Sequence, residues 1–469
     1  MKPSLVLLAG AITAHALTGT ATQPYPTYEN TRPPFSTIQP SLASIHAVAA
    51  TIAPSSPTSH VEGKSFNRIV QIWLENVDFS RAARNPNIQW LAQRGITLTN
   101  YFAVTHPSQP NYAAAVAGDY FGMDHDEFVS FPSNIFTVVD LLETRNISWG
   151  EYQEHIPHAG FRGMNYSNQA TGENDYVRKH NPLILFDRVG EDEERRRQVK
   201  GFEEFWEDLR ERRLPQWVFV TPNMTNNAHD SSMKVAGKWT REWLEGLLED
   251  EYFMEGTLVV ATFDESGGSK VQNRVFTLLL GGVIPRSLWG TTDDVFYSHY
   301  STISTVCANW DLPSLGRWDC HANILPPLSL HAANRYRNAK DVEIENMYYN
   351  LSYPGPVSQK KYTKDWWPAP NTVATCASGM GVLEGVKQMW DIGEGSYEYT
   401  RAYPDDGFYG HGNIHGKGHE YAWKDGEEEI EEEVEVLPPV VVSEAAINGF
   451  RSQVLWCLGY VAVTAVLFF

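Results

Sequence analysis

The stretch Ile69-Val70-Gln71-Ile72-Trp73-Leu74 decides the fold class. It is short, almost entirely apolar and rich in β-branched side chains, which is typical of a strand buried on both faces of a sheet. Three similar runs follow at residues 217–220, 258–261 and 275–279, and an amphipathic helical pattern at 239–248 separates two of them. Because strands that alternate with helices favour parallel pairing, the sequence predicts an α/β fold with a central, mostly parallel sheet and helices on both faces.

Polar side chains follow three of these runs. They are Glu75 and Asn76 after the first, His229 and Asp230 in the loop after the second, and Asp264 and Glu265 after the third. A single polar strand end is unremarkable, because turns favour such residues. In an open α/β sheet, however, ligands bind outside the carboxyl ends of the strands. Three polar ends together therefore predict one shared site at this edge.

The segment Thr105-His106-Pro107-Ser108-Gln109-Pro110-Asn111-Tyr112 is the second functional signal. Proline is favoured in the first turn of a helix, so Ser108 is predicted to lie at a helix N-terminus. Free N–H groups and the helix dipole attract anions there. The serine is either a nucleophile for phosphate esters or a capping residue before a buried helix. The polar strand ends favour the nucleophile.

The clustered residues offer oxygen donors and imidazoles. The oxygen donors are Glu75, Asn76, Asp264 and Glu265. They suit a hard divalent cation such as Mg, Ca or Mn, with Zn and Fe as alternatives. The histidines with a possible catalytic role are His106, His229 and His299. Each could bind phosphate oxygens or protonate a leaving group, although a lone histidine is more often structural.

The chain resembles the phosphoesterase family that contains secreted fungal acid phosphatases and bacterial phosphatidylcholine-type phospholipases C. The resemblance spans residues 73 to 319 and rests on seven segments: Trp73-Leu74-Glu75-Asn76, His106-Pro107-Ser108-Gln109-Pro110-Asn111-Tyr112, Lys179-His180-Asn181-Pro182, Thr221-Pro222-Asn223-Met224-Thr225, Ala228-His229-Asp230-Ser231, Thr262-Phe263-Asp264-Glu265 and Ser298-His299-Tyr300-Ser301. The form of the second segment favours the acid phosphatase branch.

This resemblance implies an alkaline phosphatase-like fold and a serine that is phosphorylated and then hydrolysed. By its motifs, Ser108 is that nucleophile and Asn111 helps to hold the phosphate. The positions that match metal ligands are Glu75, Asn76, Asp264 and Glu265, and those near the phosphate or leaving group are His229, Asp230 and His299. The chain has Ser80 and Ala228 where the family often has Asp and Gly. The small ligand set favours one metal ion over two.

Three functions fit these observations. The leading one is a metal-dependent acid phosphatase that acts on phosphate monoesters. The alternatives are a phospholipase C that cuts phospholipid head groups and an inactive cell-wall or adhesion protein on the same scaffold. The presence of both Ser108 and Asp264 speaks against the inactive scaffold. The products, inorganic phosphate or phosphocholine, distinguish the two enzymes.

Charge and motifs exclude other classes. The formal net charge is −20, part of it in a glutamate run at 427–433, which argues against nucleic-acid binding. The chain has no Gly-Lys-Ser phosphate loop and no GxGxxG turn, so nucleotide-driven chemistry has little support. We therefore expect a small phosphate-ester substrate and no nucleic-acid partner. The sequence does not determine the oligomeric state.

Composition divides the chain into five parts. They are a signal peptide at 1–16, a Thr/Ser/Pro-rich flexible stalk at 17–64, the catalytic domain at 65–370, a Gly/His-rich and acidic linker at 371–443, and a removed C-terminal anchor signal at 444–469. The first part combines a basic start, an apolar run and the A-x-A site Ala14-His15-Ala16. The stalk and linker have too few apolar residues to form a core.

The C-terminal part predicts a lipid anchor. Residues 454–469 are apolar and end without basic residues, and a spacer separates them from small residues around Ser443. This order is typical of a glycolipid-anchor signal, with Ser443 as the favoured attachment point. A retained membrane helix is the alternative. We expect the protein to follow the secretory route to the cell surface or cell wall.

Secretion also predicts covalent modifications. Four sequons are candidate glycosylation sites: Asn146, Asn165, Asn223 and Asn350. Cys307 and Cys320 are close in sequence and are expected to form a disulfide in an oxidising compartment, which leaves Cys376 as the odd thiol of the mature chain. No C-x-x-C pair exists, so a cysteine metal site is not expected.

Overall fold

The computed structural model describes residues 38–328, 349, 352, 355–359 and 368–390. The strands in these ranges are β1 Arg68–Leu74, β2 Ile96–Phe102, β3 Trp149–Gln153, β4 Asn165–Ser167, β5 Asn174–Val177, β6 Val199–Lys200, β7 Trp217–Thr221, β8 Thr257–Phe263, β9 Arg274–Leu280 and β10 Thr291–Ser298. The α-helices are α1 Leu42–Ala49, α2 Phe79–Arg84, α3 Pro86–Ala92, α4 Ser108–Ala117, α5 Val138–Glu143, α6 Asp187–Gly190, α7 Glu193–Arg196, α8 Phe202–Arg210, α9 Met233–Leu247, α10 Glu251–Met254, α11 Tyr300–Trp310 and α12 Glu384–Trp390.

Eight strands form one sheet in the order β10-β2-β9-β8-β1-β7-β3-β6, and β4 pairs with β5 in a separate ribbon. Neighbours in the large sheet are parallel except around β9, which is antiparallel to both β2 and β8. The four predicted strands are β1, β7, β8 and β9, and the predicted amphipathic helix is α9. The predicted fold class, α/β with a mostly parallel central sheet, is confirmed.

Helices cover both faces of this sheet. On one face, Trp73 of β1 contacts Tyr112 of α4, with ring centroids 5.0 Å apart. On the other, Phe276 of β9 contacts Phe79 of α2 at 5.2 Å. Side chains alternate between the two faces of the sheet along a strand. The pairing register of β1, β8 and β9 places the side chain of Phe276 on the face of the sheet opposite to that of Trp73. Both faces are therefore buried, which explains the nearly continuous apolar strands.

The prediction of a flexible stalk is wrong for the part of residues 17–64 that the structure describes. Residues 42–49 form α1, and the following segment is hydrogen-bonded to the body of the protein. Ser59 Oγ donates to Gln216 Oε1 at 2.6 Å, and the buried ammonium of Lys200 donates to the Ser55 carbonyl at 2.9 Å. Hydroxyl and backbone groups of this segment thus satisfy polar groups that the body would otherwise bury unpaired.

Residues 371–390, predicted as linker, also belong to the folded body. The N–H of Asn371 donates to the Gly316 carbonyl at 2.8 Å, and Cys376 forms a disulfide with Cys320. The predicted pairing of Cys307 with Cys320 is therefore wrong. Cys307 is a free thiol buried in α11. Closeness along the chain does not bring two Cβ atoms within disulfide reach, whereas the fold does so for residues 56 positions apart.

The predicted glycosylation sites differ in accessibility. Asn146 is exposed and Asn165 is half-buried, so both remain candidates. Asn223 is only 7% exposed, and its Nδ2 lies 3.1 Å from His155 Nδ1. A glycan on that nitrogen would break this contact, so the structure does not support Asn223 as a site. Asn350 lies outside the described residues.

Several predictions fall outside the described ranges and stay predictions. They concern the signal peptide at 1–16, the first part of the stalk, the acidic linker beyond residue 390, Ser443 and the anchor signal at 444–469. Among the helices that the structure describes, none combines the length and apolar character needed to cross a bilayer.

Candidate active site

The carboxyl ends of the central strands meet where the sequence predicts the site. β1 and β8 are parallel neighbours in which Leu74 pairs with Phe263, so Glu75 and Asp264 follow side by side. The Asp264 N–H donates to the Leu74 carbonyl at 2.9 Å, and the Glu75 N–H donates to the Asn227 carbonyl at the same distance. The second bond ties β1 to the loop after β7, which carries His229.

Ser108 is the first residue of α4, as predicted. The helix is buried along its whole length, which its small side chains allow, and it ends at Gly118, whose φ of +70° is one that glycine adopts without strain. The Ser108 hydroxyl is 1% exposed and donates to Glu75 Oε2 at 3.0 Å. The candidate nucleophile is thus oriented by a carboxylate from β1.

Glu75 contacts three other side chains of the site, those of Ser108, Tyr112 and His180. Its second oxygen, Oε1, accepts a hydrogen bond of 2.5 Å from the Tyr112 hydroxyl, one turn after Ser108 on α4. His180 Nε2 lies 3.1 Å from the same oxygen without forming a hydrogen bond. Burial raises the pKa of Glu75 to about 7, against the opposing charges of His229 and Lys179. The protein thus holds a carboxyl group where water cannot stabilise its charge.

His180 is a site residue that the sequence reasoning did not single out, although it lies in one of the segments quoted for the family resemblance. It ends a 3-10 turn, Arg178–His180, and its ring stacks on Tyr112 with centroids 5.1 Å apart. Burial, together with the charges of Lys179 and His229, lowers its pKa well below the ordinary value. A neutral imidazole with an unpartnered Nε2 is a potential metal ligand.

Three donor atoms of the site lie close enough together to hold a metal ion. Atoms of Glu75, His180 and His229 lie within 4.8 Å of one another. This set overlaps the predicted ligands only at Glu75. The two histidines come from loops rather than from strand ends.

Asp264 provides a second sign of a cation site. It is fully buried, and neither of its carboxylate oxygens has a hydrogen-bond partner in the described part of the chain. Burial, and then the charges of Glu75 and Glu265, raise its pKa well above the usual range, which the nearby Ser108 hydroxyl only partly opposes. Buried charges are normally paired or bound to metal. The residues present therefore fit the divalent cation that the family resemblance implies.

Glu265 is held by the loop that precedes Ser108. Its Oε2 accepts from Asn111 Nδ2 at 3.2 Å and lies 3.1 Å from His106 Nδ1. His106 is 8% exposed, and its Nε2 has no hydrogen-bond partner within the described residues. His106 therefore lies at the site, and its predicted catalytic role stays a prediction.

Asn111, the predicted phosphate ligand, forms hydrogen bonds within the protein. Its Nδ2 donates to the carbonyls of Thr105 at 2.7 Å and Pro107 at 3.2 Å as well as to Glu265, and its Oδ1 accepts from the Val104 N–H at 2.9 Å. The residue is fully buried. Its amide thus holds the loop before Ser108, and its role in holding the phosphate stays a prediction.

His299 is likewise used within the protein. Its Nε2 lies 2.6 Å from the Asp264 carbonyl oxygen and its Nδ1 lies 3.4 Å from the Tyr101 hydroxyl. The ring is fully buried against Trp73, and burial lowers its pKa to about 3. The prediction that His299 contacts the phosphate or leaving group is not supported. A neutral His299 holds the backbone of Asp264 instead.

The solvent-facing side of the site carries His229. Its side chain is 26% exposed, and its Nδ1 contacts Asp230 Oδ1 at 2.6 Å. Its Nε2 lies 3.2 Å from the Lys179 ammonium. His229 and Asp230 are therefore paired, as their predicted roles require. Asn76 follows Glu75 and is half-buried, so its predicted role as a ligand stays open.

Comparison with known proteins identifies the family of this chain. The phosphoesterase family matches residues 78–313. The chain therefore belongs to the phosphoesterase family. An acid phosphatase of Aspergillus fumigatus is 53% identical over 370 residues, which cover 78% of this chain and 82% of that protein. A phosphate-repressible acid phosphatase of Penicillium chrysogenum is 50% identical over 367 residues, which cover 78% of this chain and 88% of the relative.

Among solved structures, one similar chain is a protein of the alkaline phosphatase superfamily from Vibrio parahaemolyticus. It is 12% identical, with a TM-score of 0.36, over 57% of this chain and 73% of that chain.

Proposed function

We propose that this protein is an acid phosphatase that hydrolyses phosphate monoesters through a phosphoserine formed on Ser108. One observation carries the proposal. The buried Ser108 hydroxyl, at the start of α4, donates to Glu75 at 3.0 Å beside the unpartnered carboxylate of Asp264. Relatives about half identical over most of the chain are acid phosphatases, which supports a phosphoric monoester hydrolase.

The chemistry follows from the contacts of Ser108. Because its O–H points to Glu75, an oxygen lone pair is left for attack on phosphorus. In the first step the Oγ–P bond forms, the bond from phosphorus to the ester oxygen breaks, and the hydroxyl proton passes to Glu75. The leaving oxygen takes a proton from His229, which Asp230 orients. A water oxygen then forms a bond to phosphorus as the Oγ–P bond breaks. The water gives one proton to His229, Ser108 takes its proton back from Glu75, and inorganic phosphate leaves.

A divalent cation completes this proposal. The chain would hold it with Glu75, Asn76, Asp264 and Glu265, with His180 as a further donor close to Glu75. When bound, such an ion would neutralise the buried carboxylates and the charge of the phosphate. The buried, unpartnered oxygens of Asp264 support its presence.

The proposal extends to location. We infer a secreted or surface-anchored enzyme, with a glycolipid attached at Ser443 and the catalytic body facing outward. Sequence alone supports this part, through the cleavable start and the apolar end of the chain. Treating intact cells with an enzyme that cuts glycolipid anchors should release the activity. Activity that stays bound, with residues 454–469 still found by mass spectrometry, would contradict the anchor.

Replacing the nucleophile tests the catalytic part. Ser108→Ala should lower kcat for p-nitrophenyl phosphate by at least about 1000-fold, because the covalent step is lost. Ser44→Ala, which changes an exposed serine of α1, is the matched control and should leave kcat unchanged. Near-normal turnover by a folded Ser108→Ala protein would refute the covalent mechanism. Phosphocholine release from lipid in place of phosphate release would favour the phospholipase C alternative.

A further inference from the structure

An ion pair borders the site on its solvent-facing side. Lys179, the residue before His180, lies with its Nζ 2.8 Å from Asp126 Oδ2. The Lys179 side chain is 16% exposed and that of Asp126 is 29% exposed. The carboxylate of Glu75 is fully buried by comparison. Lys179 is therefore closer to solvent than the buried carboxylate of Glu75.

Asp126 links this ion pair to the nucleophile. Its other oxygen, Oδ1, accepts from the backbone N–H of Gln109 at 2.9 Å. Gln109 is the second residue of α4 and follows Ser108 directly. One carboxylate thus holds both the N-terminus of the nucleophile helix and the Lys179 ammonium, which sets the position of Lys179 relative to Ser108.

Lys179 also reaches the catalytic histidine. Its Nζ lies 3.2 Å from His229 Nε2. An ammonium has three N–H donors and no acceptor. The contact to Asp126 uses one of them, and His229 Nε2 accepts a second only while it carries no proton. The structure assigns the third to no partner among the described residues.

A lysine side chain ordinarily carries its positive charge at neutral pH, and here the Asp126 carboxylate lies 2.8 Å from the ammonium. A phosphate ester adds negative charge to a site that already holds three acidic side chains. The Lys179 ammonium, held by Asp126 and with an N–H donor to spare, can form a charge-assisted hydrogen bond to such a ligand.

We propose that Lys179 binds the phosphoryl oxygens of the substrate and that Asp126 is the positioning residue that fixes Lys179 relative to Ser108. The inference rests on the proposed function of the site as a phosphatase. It gives the lysine a role in recognising phosphate itself, whatever alcohol the phosphate is esterified to.

The test uses the full-length enzyme and two ligands, p-nitrophenyl phosphate as substrate and inorganic phosphate as competitive inhibitor. Lys179→Gln should raise both the KM and the inhibition constant of phosphate by about 10- to 100-fold, the loss expected for a charge-assisted hydrogen bond. Lys179→Arg should restore part of this affinity. Asp126→Asn should raise both constants less than Lys179→Gln does, because the lysine keeps its charge but loses its ion pair with Asp126. Lys238→Gln, at a 69% exposed lysine of α9, is the matched control.

Two outcomes would overturn the inference. In the first, the inhibition constant of phosphate stays unchanged in Lys179→Gln; a rise in KM alone would then place the lysine at the leaving group. In the second, Lys179→Arg and Lys179→Gln have the same KM and the same inhibition constant of phosphate, and both variants melt at the temperature of the wild type. This result would exclude a role for the charge. A wild-type enzyme that releases no phosphate from monoesters would instead refute the proposed function.

Discussion

Glu151 offers a quantitative test of how burial shapes this protein. It lies on β3 and is fully buried, with Oε1 accepting from Gln153 Nε2 at 2.6 Å and Oε2 from the Leu183 N–H at 3.1 Å. Burial raises its pKa to about 8, although both hydrogen bonds act in the opposite direction. In the folded protein this carboxyl therefore keeps its proton at neutral pH. We expect Glu151→Gln, which resembles the protonated form, to stabilise the fold at high pH.

The sign and size follow from linkage. Above its ordinary pKa of 4.5 the unfolded carboxyl loses its proton while the folded one keeps it, so the free energy of unfolding falls as the pH rises from 4.5 to about 8. The difference between these two pKa values corresponds to about 5 kcal/mol. An amide can accept only one of the two hydrogen bonds, which costs about 1 kcal/mol. The variant should therefore gain about 4 kcal/mol well above pH 8 and lose about 1 kcal/mol well below pH 4.5.

Urea unfolding across this pH range measures the effect. The wild type should lose stability steadily between pH 4.5 and pH 8 relative to Glu151→Gln, and the two curves should cross. Glu249→Gln, at an exposed glutamate, is the control and should run parallel to the wild type. Parallel curves for Glu151→Gln as well would show that the carboxyl ionises freely in the folded state and would refute the reasoning.

Three further results are expected. Cys376→Ser should cost about 4 kcal/mol of stability and abolish the destabilising effect of a reducing agent, whereas Cys307→Ala should keep that effect; equal responses would contradict the disulfide assignment. Asp264→Asn should lower the bound metal measured by elemental analysis after dialysis, and full occupancy in the variant would exclude this carboxylate as a ligand. Peptide mapping of protein expressed through the secretory pathway of a host should find glycan on Asn146 but not on the buried Asn223, and the reverse pattern would show that this loop is placed differently.

The edge of the sheet that carries the site was predictable because short, continuous stretches of sequence indicate it. β1 and β8 are continuous apolar runs, and parallel pairing brings their carboxyl ends, and hence Glu75 and Asp264, together. Ser108 was predictable for the same reason, since Pro110 marks the first turn of α4. β2, which leads to Ser108, mixes polar with apolar residues, and no strand was predicted there.

The remaining parts of the site depend on tertiary neighbours that no local pattern shows. His180 reaches Glu75 from a short 3-10 turn rather than from a strand end. Asn111 and His299 have residue types suited to phosphate binding, but a ring or amide nitrogen of each contacts a buried backbone carbonyl, of Thr105 and Asp264 respectively. The segment around Ser59 has the composition of a flexible linker, yet its hydroxyl groups satisfy polar groups of the body. In each case the side chain contacts a buried polar group of another segment of the chain, and that contact helps to determine what the side chain does.

The central claim is the covalent phosphoserine on Ser108, and trapping it is the most direct test. The wild-type enzyme would be mixed rapidly with a phosphate monoester, quenched in acid during turnover, and digested for mass spectrometry. The account predicts phosphate on the peptide that contains Ser108, at that residue, with none in Ser108→Ala treated in the same way. Steady release of inorganic phosphate without any phosphorylated Ser108, or with the phosphate on another residue, would contradict it.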